Sequence, residues 1–115
     1  MLFSISRIRV FFGTTEHRIS IAVDTDVEFS DEQSKKLIAC TAIDEIQLEN
    51  PDPDIFSKNE RYAANLTKNI IANNFSFNAI KLTIDDEDYY LNNESSAYLQ
   101  KKEKENRYLT IPLNF

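Results

Sequence analysis

Apolar residues recur at every second position along the first part of the chain. Phe3 and Ile5 face one way and Ile8, Val10 and Phe12 the other, which predicts a strand over residues 2–12 with a bulge or bend near Ser6–Arg7. Gly13-Thr14-Thr15-Glu16 reads as a turn. Ile19, Ile21, Val23, Val27 and Phe29 then fall on alternate positions, the second arm of an N-terminal hairpin.

The period changes after Phe29. Ser30 with Gln33 is a capping-box pair, and Asp31 and Glu32 suit the positive end of a helix dipole. Leu37, Ile38, Ala42, Ile43 and Ile46 supply a helical stripe that Pro51-Asp52-Pro53-Asp54 terminates, because proline cannot donate a backbone hydrogen bond. Ser57 and Glu60 open a second helix carrying Tyr62, Leu66 and Ile70, with Ala63 and Ile71 beside them, and Asn73-Asn74 offers a left-handed stop.

Alternation returns with Ile80, Leu82 and Ile84, followed by a turn at Asp85–Asp88 and a strand through Tyr89-Tyr90-Leu91. Residues 95–105 read as a short charged helix capped by Ser95 or Ser96, or as a mobile loop. Leu109, Ile111, Leu113 and Phe115 alternate at the end, and Pro112 among them predicts an edge or interrupted strand. The order is β-β-α-α-β-β-(α)-β. The expected fold is α+β: an antiparallel sheet with two helices packed on one face, as a single globular domain over residues 1–115.

Composition narrows the class. At 42% apolar and 28% charged, the 115 residues have globular usage and enough length for a core without staples. Cys40 is the only cysteine and reads as a buried helix residue, which fits a reducing compartment and predicts a cytoplasmic location. Arg7 and Arg9 interrupt the opening apolar run before it can form a secretory signal, and no stretch approaches the roughly 20 apolar residues of a membrane span.

Charge is regional. Three arginines and one acid give residues 1–23 a net +2, eleven acids and three lysines give residues 24–60 a net −8, and seven of each leave residues 61–115 neutral. Such acidity disfavours direct nucleic-acid binding and favours a basic protein partner met under field attraction.

Catalytic motifs are sparse. One glycine, Gly13, cannot build a phosphate-cradling loop, and His17 is the only histidine, read as a solvent-exposed turn residue with no nucleophile nearby except Thr14 and Thr15. The consecutive acids Asp85, Asp86, Glu87 and Asp88 radiate apart and do not converge on one ion. No cofactor, metal or enzymatic activity is expected.

The candidate partner-binding residues form three patches. Asp24, Asp26 and Glu28 would share the strand face opposite Ile21, Val23, Val27 and Phe29, with neighbours roughly 6.5–7 Å apart. Asp52 and Asp54 precede the apolar pair Ile55-Phe56 on a proline-stiffened loop. Asp85, Asp86 and Asp88 precede Tyr89 and Tyr90, aromatics of the type that anchor interfaces. The expectation is an inhibitory binding protein, an immunity protein or antitoxin that covers the cationic cleft of a basic toxin such as a nuclease, as a monomer or 1:1 complex. A phage-encoded nucleic-acid mimic acting against a host defence enzyme, or a phage or secretion-system assembly component, are the alternatives.

Overall fold

A computed structural model describes residues 1–43, 52–95 and 97–113. Strand β1 (Leu2–Phe12) pairs antiparallel with β2 (Thr15–Asp24) around the two-residue Gly13-Thr14 loop, where Gly13 has φ 62°. The register breaks between Ile5 and Ile8, and Arg7 there adopts φ 62°. This bulge is the one the phase change predicts, and its effect is to unite the two halves of the strand. Phe3 and Ile5 lie opposite Val23 and Ile21, Ile8 lies opposite Ile19, and all six face the core.

The alternation does not carry β2 to Phe29. The strand stops at Asp24 because Thr25 turns inward, donating its hydroxyl to the Ser76 carbonyl (2.8 Å) and accepting the Val27 amide (3.3 Å). Val27 is left 49% exposed, while Phe29 swings onto Phe3 and Phe75 with ring centroids 4.2 and 5.8 Å away.

Helix α1 (Asp31–Ala39) starts where Ser30 accepts the Gln33 amide, but it is shorter than its stripe implies. Its last turn tightens, with the Thr41 amide on Ile38 O (3.0 Å) and the Ala42 amide on Ala39 O (3.3 Å). The Thr41 hydroxyl donates to Ile38 O (2.6 Å), and the Tyr62 phenol donates to Thr41 O (2.6 Å), pulling the chain off the helical path. Ala42 and Ile43 are therefore non-helical, and Ile46 and Pro51 lie outside the described residues.

Helix α2 (Lys58–Ala72) carries the full reciprocal capping box of Ser57 and Glu60. Tyr62, Ala63, Leu66 and Ile70 are buried along one face, and the chain leaves through Asn74 at φ 57°.

Four strands follow: β3 (Ala79–Ile84), β4 (Glu87–Asn92), β5 (Tyr98–Lys104) and β6 (Arg107–Pro112). The helix or loop expected over residues 95–105 is instead a 3-10 turn at Asn93–Ser95 followed by β5; Ser96 lies outside the described residues. The charged run hides that strand. Its inward positions are Leu99 and Lys101, and a lysine at a core-facing position erases the apolar alternation. Pro112 marks an edge, as its chemistry requires, and pairs with Tyr98. Phe115 lies outside the described residues.

The result is an α+β fold. Six antiparallel strands stand in the order β1-β2-β3-β4-β5-β6, with both helices inserted between β2 and β3 and packed on one face. Every element contributes to one core, in which Ile19, Ile21, Leu37, Leu66, Leu82 and Leu99 are fully buried. Among the described residues, the opposite face of the sheet is open.

Candidate functional site

The sequence-marked acids separate to two ends of the sheet. Asp24 pairs across the sheet with Ala79, whereas Asp85 follows Ile84 at the far end of β3, about 17 Å of strand away. Asn59 reaches Asp85 (3.1 Å), so the start of α2 and the Asp52–Phe56 loop before it belong to the Asp85 end.

At that end two of the five marked acids, Asp85 and Asp88, are engaged by other side chains. Asp85 accepts from His17 Nδ1, from Asn59 and from the Arg18 amide (3.3 Å). Burial opposes ionisation of Asp85, but these hydrogen bonds outweigh it and hold the carboxyl below its usual range. Asp88 accepts the Thr83 hydroxyl (2.9 Å) and lies 3.8 Å from Lys81. Asp52 accepts the Asp54 amide (2.9 Å), and both residues are exposed, as is Asp86. The acids radiate to different partners.

Two expected anchors are removed from the surface. Tyr89 is 0% exposed, because strand parity places it with Leu91 on the covered face, and Phe56 at 9% plugs the core ahead of α2. Neither can enter a partner's pocket. Tyr90, of opposite parity, remains half-buried on the open face.

The Asp24 end is different. Asp24, Asp26, Glu28, Asp31 and Glu32 are all exposed, and no basic residue interrupts them. They do not form the strand row that alternation implies, since Asp26 and Glu28 lie in the β2–α1 connection. That connection is nonetheless fixed, by the two Thr25 hydrogen bonds and by Phe29 packed between Phe3 and Phe75. The acids are therefore presented on a braced segment, with half-exposed Val27 among them.

A polar cluster that pattern reading missed lies at the Asp85 end. Lys101 points into the covered face and donates to Glu60 (2.7 Å) while lying 2.5 Å from Glu87. Burial penalises both ions, but their mutual hydrogen bond, with help from the Ser57 amide on one side and Glu87 on the other, lowers the Glu60 carboxyl and raises the Lys101 ammonium. Among the described residues the buried Tyr89 hydroxyl has no hydrogen-bond partner, and burial, reinforced by Glu87, Glu60 and Asp85, pushes its ionisation upward. His17 is no loose turn residue: its ring stacks on Phe12 (4.0 Å) and its Nδ1 meets Asp85. A carboxylate-oriented imidazole is one half of a nucleophile-activating triad, but among the described residues no hydroxyl or thiol is paired with it. Its contacts tie β2 to β1 and to the β3–β4 turn, and Asp85 in turn accepts from Asn59 of α2.

Among the described residues, no group of three His, Cys, Asp or Glu side chains is arranged to hold a metal, and no helix is long and apolar enough to cross a membrane. No protein-family model matches the chain, and comparison with curated proteins and with solved structures returns no match.

Proposed function

We propose that this chain is an acidic inhibitory binding protein, acting as an immunity protein or antitoxin does: it neutralises a basic toxin such as a nuclease by covering its cationic active-site cleft. The observation that carries this reading is the set of five exposed acids, Asp24, Asp26, Glu28, Asp31 and Glu32, held on the braced connection between β2 and α1. A field of one sign attracts a basic surface before contact and raises the rate of encounter. Bracing matters as well, because a segment already ordered loses little conformational entropy when a partner docks. Val27 supplies an apolar contact inside the acidic segment. A buried, unpaired Cys40 accords with action in the reducing cytoplasm.

The test begins with affinity capture from the source organism at low salt and at about 0.5 M salt, where fields are screened within a few ångströms. Capture of a basic nuclease or toxin that weakens with salt supports the reading. Association of that protein with the Asp26→Asn/Glu28→Gln variant is then followed by stopped flow. The variant is expected to associate about tenfold more slowly, with a flatter salt dependence and little change in dissociation. Unchanged association would remove the β2–α1 connection from the interface.

A further inference from the structure

The open face of the sheet carries a groove that begins at one of those acids. Pairing across the strands aligns Leu2, Asp24 and Ala79 in one row and Ala22, Lys81 and Tyr90 in the next. On a face of otherwise longer side chains, Ala22 and Ala79 end at Cβ. A groove of about 590 Å³ opens over these two alanines, with Tyr90 and Tyr98 on the β4–β5 side and Leu2 and Asp24 on the β1–β2 side. That volume falls in the range of sites that enclose a ligand group.

The groove is polarised. The Asp24 carboxylate is half-exposed at one end, where the likewise exposed Met1 amine stands 3.8 Å away as its ion-pair neighbour. Lys81 lines the other end, 3.8 Å from Asp88 and 6.0 Å from the Tyr90 ring centre. Between these two charges lies an aromatic-walled trough, with Asn92 and Gln100 also on its lining and a carboxylate at the mouth that adjoins the exposed acids. Apolar stem plus cationic head is the complement of that arrangement.

We propose that the groove receives a cationic side chain, arginine in preference to lysine, from the basic partner inferred above. Its methylenes lie over Ala22 and Ala79 beside Tyr98, and its guanidinium meets Asp24. Arginine is favoured because its planar head is weakly hydrated and pairs with a carboxylate through two parallel hydrogen bonds. This assignment rests on the inhibitor reading and adds the specificity that a diffuse acidic segment lacks. Asp24 belongs to both surfaces, so a partner steered by the acids arrives with the groove beside it.

The probe is N-acetyl-arginine amide, titrated into the full chain at near-physiological salt and followed by amide ¹H–¹⁵N spectra. Saturable shifts confined to Ala22, Asp24, Ala79 and Tyr98 are expected, with N-acetyl-lysine amide binding more weakly. Ala79→Leu fills the groove without altering any charge, and Asp24→Asn removes the carboxylate; each should weaken binding by about fivefold or more. The spectra show directly whether each variant is folded, and Tyr98→Ala, at an exposed position, provides a second test of the wall. Linear shifts spread over Asp26, Asp54 and Asp86, or an Ala79→Leu variant that binds normally, would overturn the proposal. Loss of groove binding beside normal charge-dependent association would leave the inhibitor reading standing. A saturable groove beside unchanged association of Asp26→Asn/Glu28→Gln would do the reverse.

Discussion

Lys101 is the residue whose removal the fold should tolerate least. It is 13% exposed on the covered face, between Glu60 and Glu87, and Glu60 is itself 7% exposed. Lys101→Met keeps the volume but leaves Glu60 as a buried charge without its counter-ion, a change expected to cost about 3 kcal/mol. Urea unfolding at neutral pH measures this as a lower midpoint with an unchanged slope. The same pair sets a pH dependence. A carboxyl held below its ordinary 4.5 binds fewer protons folded than unfolded, so its stabilisation is complete above 4.5 and fades as pH falls through the lowered folded value. Asp85 acts in the same direction. Stability should therefore decline steadily on acidification from pH 5 toward pH 3, and Glu60→Gln should flatten that decline; a parallel decline in the variant would assign the effect elsewhere. Half of this was legible in advance. The capping box identifies Glu60 from Ser57 alone, three residues away, whereas its ion-pair partner stands in a charged run that reads as solvated surface. Tyr89 differs for another reason: its acidic neighbours suggest a surface anchor, whereas its strand parity with Leu91 places it in the core.

Turns and caps were the most legible elements, because their chemistry is local. The Arg7 bulge, the Ser30 and Ser57 caps and the left-handed Asn74 each follow from a few adjacent residues. Element ends set by distant contacts were not legible: β2 stops because Thr25 finds Ser76, and α1 stops because Thr41 meets Tyr62. The β3–β4 turn is legible yet strained. Asp85 and Asp86 both occupy positive φ, 48° and 68°, as a two-residue type I′ loop demands, and the second position of that loop favours glycine. Asp85 has a reason to stay, in its bonds to His17, Arg18 and Asn59. Asp86 is exposed, so Asp86→Gly is expected to raise stability by about 0.5–1 kcal/mol, read as an upward shift in thermal midpoint. A loss would show that Asp86 makes a contribution beyond its backbone shape.

At the scale of the molecule, the regional charge of the sequence becomes a polarity of the surface. The acids of residues 24–32 remain exposed together, while at the opposite end Asp85, Asp88 and Glu87 are held by His17, Lys81 and Lys101 and Asp52, Asp54 and Asp86 stay exposed. Net charge alone could not separate these two fates, since the neutralising residues are distant in sequence. Strand order was equally hidden, although it proves to be the simplest possible. Its simplicity has a consequence for how the chain assembles. Neighbouring strands are joined by short connections everywhere except between β2 and β3, whose pairing closes across residues 25–78. Hairpins form in microseconds, while the entropy of closing a loop grows with its length. Folding thus reduces to two locally built pieces, β1–β2 and β3–β6, that must meet in one non-local step. Until they do, Ile19 and Ile21 on one piece and Ile80 and Leu82 on the other face water. A ribosome delivers the chain from its start, so this seam cannot be completed before Ile84 has emerged, and the exposed hairpin waits through the synthesis of both helices.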